Sequence, residues 1–237
     1  MRERSPSADP PLPRLVLATG NKHKLAELTR ILEACGAQAE LAGLADFPGA
    51  PHVAETGATF AENALLKARE VARFTGLPAV ADDSGLCVDA LNGMPGVLSA
   101  RWAGRHGDDQ ANLRLVLAQV ADVPDDRRGA QFACAAALVL PSGREHVAVG
   151  TVSGRLIREP RGSGGFGYDP VFVPDPSELD AAYEVLGRRP PREGEPGDGV
   201  LTGLTTAQMP PEAKDAISHR GRALRALAPV IAEALRT

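Results

Sequence analysis

Cysteine is scarce and unpaired in this chain: Cys35, Cys87 and Cys134 are odd in number and far apart. No Cys-x-x-Cys pair or zinc-like spacing occurs, so the reading is reduced structural cysteines in a cytoplasmic protein. Long apolar runs are missing as well, and residues 1–13 are rich in charge, Ser and Pro instead of resembling a signal sequence. A membrane partner is therefore not expected, and 1–13 reads as a flexible tail without a catalytic role. A formal charge of −4 leaves no broad positive face for a nucleic-acid polymer, but a local basic pocket for a small phosphate compound stays open. Aromatic residues make up only 4%, so a place where two of them cluster is informative.

What is present describes a folded α/β protein. With 237 residues, 43% hydrophobic and 24% charged, the chain can bury a core without metal or disulfide staples, so a bound metal would serve function. The apolar run 15–18, then Thr19, Gly20 and Asn21, then Leu25, Leu28, Ile31 and Leu32 at helical spacing, predict strand, polar turn and helix. Phe60, Ala64, Ala68 and Val71 predict a second helix, and Leu113, Val116, Leu117 and Val120 a third. The runs 132–140 and 147–152, joined across Pro141, Ser142 and Gly143, predict a hairpin and hence a mixed sheet. Helical spacing returns over 213–235, with Leu224, Leu227, Ile231 and Leu235 as packing residues. No repeat or clean linker divides the chain, so 14–237 reads as one domain. Within it, 175–202 reads as a long surface loop or flexible insertion, either a lid or a solvated excursion.

The chemistry begins at Asp82 and Asp83, within Ala-Asp-Asp-Ser-Gly at 81–85. Val80 and Ala81 read as the end of a buried strand, and Ser84 with Gly85 as a sharp turn. Adjacent carboxylates there are costly unless the turn is solvated or a divalent cation neutralises them. Glu55, in a loop ahead of the second helix, is the preferred partner of Asp83 around such a cation. Two roles fit Glu62, capping that helix with Thr59 or binding ligand or metal. Thr19, Gly20, Asn21 and Lys24 can receive phosphate on backbone amides, a helix N-terminus and a point charge, or form a plain helix cap with an exposed lysine. Neither a full P-loop nor a dinucleotide fingerprint is present.

The segment Gly-Ser-Gly-Gly-Phe-Gly-Tyr-Asp at 162–169 concentrates two of the rare aromatics. Phe166 can stack on a base while Asp169 accepts from a ring or sugar donor, or Phe166 and Tyr168 pack in the core. Lys214, His219 and Arg220, with Ser218 a possible cap, offer donors suited to purine oxygens and nitrogens or form a solvated basic helix start.

In order along the chain, several segments resemble the Ham1 or RdgB family of inosine triphosphate pyrophosphatases. They are Leu-Ala-Thr-Gly-Asn-Lys-His-Lys at 17–24 with Glu27, Glu-Thr-Gly-Ala-Thr-Phe-Ala-Glu-Asn at 55–63 with Lys67, and the acidic segment 81–85. Pro95 and Gly96 with Ser-Ala-Arg at 99–101, Gly-Phe-Gly-Tyr-Asp-Pro at 165–170, and Ser-His-Arg-Gly at 218–221 complete the set. The resemblance implies a homodimer with an elongated mixed sheet, flanking helices and two lobes around a nucleotide cleft. It implies hydrolysis of ITP, dITP and XTP to monophosphate and pyrophosphate with Mg2+, cleansing the nucleotide pool. It makes Asp83 the catalytic carboxylate and, with Glu55, the metal site. Thr19, Asn21 and Lys24 would hold phosphate, with Gly20, Lys22 and His23 in the same substrate-binding segment but Lys22 and His23 outside the catalytic set, and Ser84 would assist near the scissile group. Phe166, Gly167, Tyr168, Asp169, Lys214, His219 and Arg220 would surround sugar and base. Arg101 would support the cleft or the dimer surface, or contact phosphate. The stretch 203–209 departs from the family pattern, with Leu204 in place of lysine and Gln208 in place of glutamate. A Maf-like pyrophosphatase and an inactive nucleotide-binding regulator are the alternatives.

Overall fold

The computed structural model describes residues 12–19, 22–36, 38–190 and 200–236. Six strands form one mixed sheet in the order β2-β1-β3-β4-β5-β6. The first three, β1 (Arg14–Leu17), β2 (Glu40–Gly43) and β3 (Ala79–Val88), are mutually parallel. A long antiparallel hairpin follows, β4 (Gly129–Val139) with β5 (Glu145–Leu156), and β6 (Phe172–Pro174) closes the edge. The anticipated hairpin and mixed sheet are therefore present.

The apolar spacing read at 25–32 becomes helix α1 (Lys22–Ala34), and that at 60–71 becomes α2 (Phe60–Thr75). These helices lie on opposite faces of the sheet. Leu28, Ile31 and Leu32 of α1 pack with Leu15, Leu17 and Val80, whereas Ala64, Ala68 and Val71 of α2 pack with Val16, Ala79 and Ala81. Alternation along the strands forces this division, since successive side chains point to opposite faces. With the strand order 2-1-3 and helices on both sides, the carboxyl end of β1 beside β3 is a switch point, where open α/β sheets place ligands.

Helix α3 (Asp109–Gln119) covers the far end of the hairpin, where Leu113 and Val116 meet Leu86, Val152 and Phe172. The helical stretch near the C-terminus is two helices, α5 (Pro211–Ile217) and α6 (His219–Ala234). Ser218 separates them and accepts the Gly221 N–H as the cap of α6. Leu224, Leu227 and Ile231 of α6 are buried on the α1 face.

One expectation needs correcting. Residues 175–202 do not form a loop throughout, because α4 (Asp180–Val185) lies inside them. Leu179, Ala182 and Tyr183 pack with Leu201, Met209, Ala213 and Ile217, and the Tyr183 hydroxyl accepts the Leu201 N–H. Too few apolar residues separated by Gly and Pro hid this contact, which joins α4 to positions from Leu201 onward. Residues 1–11 of the expected tail and 191–199 of the expected insertion lie outside the described residues.

Candidate active site

The acidic segment is not a turn at a strand exit. β3 runs on through Ser84 and Gly85 to Val88, paired with β4 at every step, Asp82 against Ala136 and Asp83 against Ala135. It is β1 that stops, since its last pair with β3 is Leu17 with Val80. Beyond that pair no strand among the described residues lies on the side of β3 away from β4, and Ala18 and Thr19 leave the strand there. Gly85 is not a turn glycine either. A Cβ there would lie 2.3 Å from Ser99 Oγ and 2.5 Å from the Gly96 carbonyl, so the glycine admits the short 3-10 segment Gly96–Arg101 against the strand.

Nor do the two carboxylates form a pair. Strand alternation sends Asp83 to the α2 face and Asp82 to the α1 and α6 face. Asp83 Oδ2 accepts from Asn63 Nδ2 at 2.9 Å, and its Oδ1 lies 3.5 Å from Lys67 Nζ. Asn63 Oδ1 in turn accepts the Gly57 N–H at 2.7 Å, so both ends of that buried amide are used to orient Asp83. Burial pushes the Asp83 carboxyl above the usual carboxylate range, with Lys67 and Asn63 offsetting only part of it. A raised carboxyl is a better proton acceptor.

Glu55 arrives from the loop before α2, as expected, and both its oxygens are engaged. Lys67 donates at 2.9 Å and Arg101 lies at 3.2 Å. Burial acts to raise the Glu55 carboxyl, but the two cations outweigh it and hold it low. Lys67 thus stands between Glu55 and Asp83, and its own ammonium is held charged by them against burial. Thr19, Glu55, Lys67, Arg101 and His106 line a cleft of about 770 Å3. Glu62 proves to be a cap: its carboxylate accepts the Ala58 N–H, and Thr59 accepts the Glu62 N–H.

Asp83 and Glu55, hard carboxylates that share Lys67 as a partner, are donors of the kind that suit a magnesium ion keeping waters and substrate phosphates as its remaining ligands. A cage made by protein alone is not present among the described residues, where no three acidic, His or Cys side chains gather as a metal set.

On the opposite face, Asp82 Oδ2 lies 2.8 Å from Lys24 Nζ and 3.2 Å from Arg220 Nε. Burial alone would raise this carboxyl, but Lys24 and Arg220 outweigh it and hold it below the usual range. Arg220 also pairs with Glu27, and its Nε and Nη2 make no hydrogen bond among the described residues. His219 stacks on Phe132 with ring centroids 5.1 Å apart, and burial pushes its imidazole down to about 4. Its charge state responds to Asp169 and Lys214 on one side and to Asp82 and Arg220 on the other.

The glycine segment divides its work. Phe166 is 79% exposed with Lys214 Nζ 5.4 Å from its ring centroid, so the ring is presented to solvent. Tyr168 is packed in the core and its hydroxyl donates to the Ser99 carbonyl. Asp169 is a buried hub, accepting from the Phe166 N–H, Thr206 and Lys214. The Gly167 N–H donates to Asp109. Gln208, one of the two family departures, accepts the Thr205 N–H at 3.1 Å, within the turn that carries Thr206 to Asp169. Ser84 shares the Asp82 face by alternation. Gly20 and Asn21 lie outside the described residues, as do the side chains of Lys22 and His23.

The sequence pointed to Asp83, Glu55, Lys24 and the base-side donors, and to Arg101 as one possible cleft residue, but gave Lys67 and Asn63 no role beside Asp83. A clue was available in Lys67, five residues from Glu62 and so unsuited to a helical surface pair.

Fold and cleft together define an α/β protein with a mixed-charge site at a sheet switch point, suited to a phosphate-bearing ligand. Within that class the chain belongs to the Ham1 family, whose model matches residues 15–187 and 197–230. It is 55% identical over 222 residues to a dITP/XTP pyrophosphatase of Streptomyces coelicolor, covering 94% of this chain and 98% of the relative. A solved Mycobacterium abscessus nucleoside-triphosphatase, dITP/XTP pyrophosphatase, is 52% identical with a TM-score of 0.69, over 91% of this chain and 99% of that one. A HAM1 protein from Coxiella burnetii is 38% identical with a TM-score of 0.77, over 94% and 100%.

Proposed function

We propose that this protein hydrolyses ITP, dITP and XTP to the nucleoside monophosphate and pyrophosphate, clearing non-standard purines from the nucleotide pool. The observation that carries the reading is the open end of β1, flanked by Asp83, Lys67 and Glu55 on one face and by Lys24, Asp82 and Arg220 on the other. The names of close relatives, dITP/XTP pyrophosphatases, support the same substrate class.

The chemistry follows from the residues. Lys24 and Lys67 offset the triphosphate charge from the two faces. Asp83, fixed by Asn63, orients a water and accepts its proton as the α–β phosphoanhydride breaks and pyrophosphate leaves. Asp83 and Glu55 are the carboxylates that would hold magnesium, which when bound supplies charge neutralisation at the triphosphate.

At the base, Arg220 brings unused donors and His219 is neutral near pH 7, presenting one N–H and one acceptor. An oxygen at purine C6 satisfies such donors, whereas the adenine amino group leaves them unpaired. Phe166 offers an exposed stacking face beside Lys214. A cytoplasmic homodimer completes the proposal, and mass in solution tests the dimer.

The deciding experiment incubates the purified protein and magnesium with ITP, XTP, dITP, ATP and GTP, measuring monophosphate and pyrophosphate. Faster turnover of the first three, lost on chelation, is expected. Orthophosphate release, or equal kcat/KM across the panel, refutes the reading.

A further inference from the structure

We propose that Asp82 is a positioning residue that couples the phosphate end of the nucleotide site to its base end, by holding Lys24 and Arg220 on one carboxylate oxygen. This rests on the nucleotide reading above and goes beyond it. The same atom, Oδ2, lies 2.8 Å from Lys24 and 3.2 Å from Arg220. Those cations sit in the first turns of α1 and α6, which the chain brings together only in the folded state.

Asp82 is 6% exposed and fixed in the middle of β3, paired with Ala136 of β4 just past the end of β1, with a short side chain. Lys24 and Arg220 have long ones and much rotamer freedom to lose. The cations are therefore placed by the strand carboxylate, and without it two like charges would face each other, with Glu27 left beside Arg220. Asp82 is not a second metal ligand, because its carboxylate faces away from Asp83 and Glu55 and is taken up by two cations.

Sharing one oxygen makes the two ends communicate. A phosphate that draws Lys24 away leaves Oδ2 to Arg220, which tightens the placement of the base-side donors, and the effect is reciprocal. Arg220 Nη2 makes no hydrogen bond among the described residues, so a better-placed guanidinium can turn it to a base oxygen while Nε stays on Asp82.

A double-mutant cycle tests this, with Lys24→Met and Arg220→Met combined in the wild-type and Asp82→Asn backgrounds and ITP affinity read by calorimetry. In the wild type the two losses should deviate from additivity by roughly fivefold or more, and in Asp82→Asn they should be additive within about twofold. Asp82→Asn itself should raise KM for ITP more than it lowers kcat, and should narrow the ITP-to-ATP preference. A cycle of equal size in both backgrounds, or a kcat loss with unchanged KM, overturns the proposal. Should Asp82→Asn fail to fold, the wild-type cycle decides alone, since additive losses there also overturn it. Wild-type protein that neither binds nor hydrolyses ITP instead removes the nucleotide reading, and this coupling with it.

Discussion

Asn63 Nδ2 donates to Asp83 Oδ2 at 2.9 Å while Asn63 Oδ1 accepts the Gly57 N–H at 2.7 Å. The amide is fully buried, so truncation leaves two polar groups short of a partner, at about 1–3 kcal/mol. Asn63→Ala should lower Tm by several degrees and slow turnover of ITP about tenfold with little change in KM. A normal kcat would show that Asp83 needs no orienting partner.

Asp83 itself separates chemistry from stability. Asp83→Asn should reduce kcat by on the order of 10²–10⁴ while ITP binding changes little. Burial raises this carboxyl, so folding disfavours its charged form relative to the unfolded chain. The stability it contributes is present below the unfolded carboxylate range and is lost as pH rises through the higher folded value. At pH 7 the neutral amide should therefore raise Tm, and a lowered Tm in thermal melts would count against this electrostatic account.

His219 gives the opposite pH signature. Burial depresses its imidazole to about 4, so its contribution is present above the unfolded value near 6.5 and is lost as pH falls through that window toward 4. Urea titrations from pH 4 to 8 should show the stability advantage of wild type over His219→Gln growing with pH between those limits. A constant difference would place the imidazole in water.

Gly85→Ala tests a close approach. The new methyl would meet Ser99 Oγ and the Gly96 carbonyl, so the segment Gly96–Arg101 must shift, at about 1–3 kcal/mol. Because Arg101 pairs with Glu55, the variant should also weaken ITP binding. Unchanged Tm and KM together would mean that the segment moves aside freely.

Phe166→Ala should leave stability within about 0.5 kcal/mol, since the ring is exposed. Loss of a stacking face worth about 0.5–1.5 kcal/mol should raise KM for ITP roughly two- to tenfold. The same KM in both proteins would exclude base stacking there.

The local elements were legible because they depend on neighbours a few residues apart. Helical spacing at Leu25, Leu28, Ile31 and Leu32, and at Phe60, Ala64, Ala68 and Val71, gave α1 and α2, and the two apolar runs around Pro141 gave the hairpin. Asp83, Lys24 and the base-side donors stood out because charged and glycine-rich groups interrupt apolar pattern. α4 escaped notice because its stability comes from Leu201, Met209 and Ala213 across the intervening stretch, not from its own six residues.

By itself, the sequence determined that Asp82 and Asp83 are adjacent and that a strand leads into them. Tertiary structure decided what that adjacency means. A strand that continues past them turns neighbours to opposite faces, and the crossing order of the chain puts α2 over one face and α1 with α6 over the other. Asp83 thereby meets Asn63 and Lys67, and Asp82 meets Lys24 and Arg220. No local pattern encodes those partners, because the helices that supply them reach the sheet only when distant apolar faces pack against it.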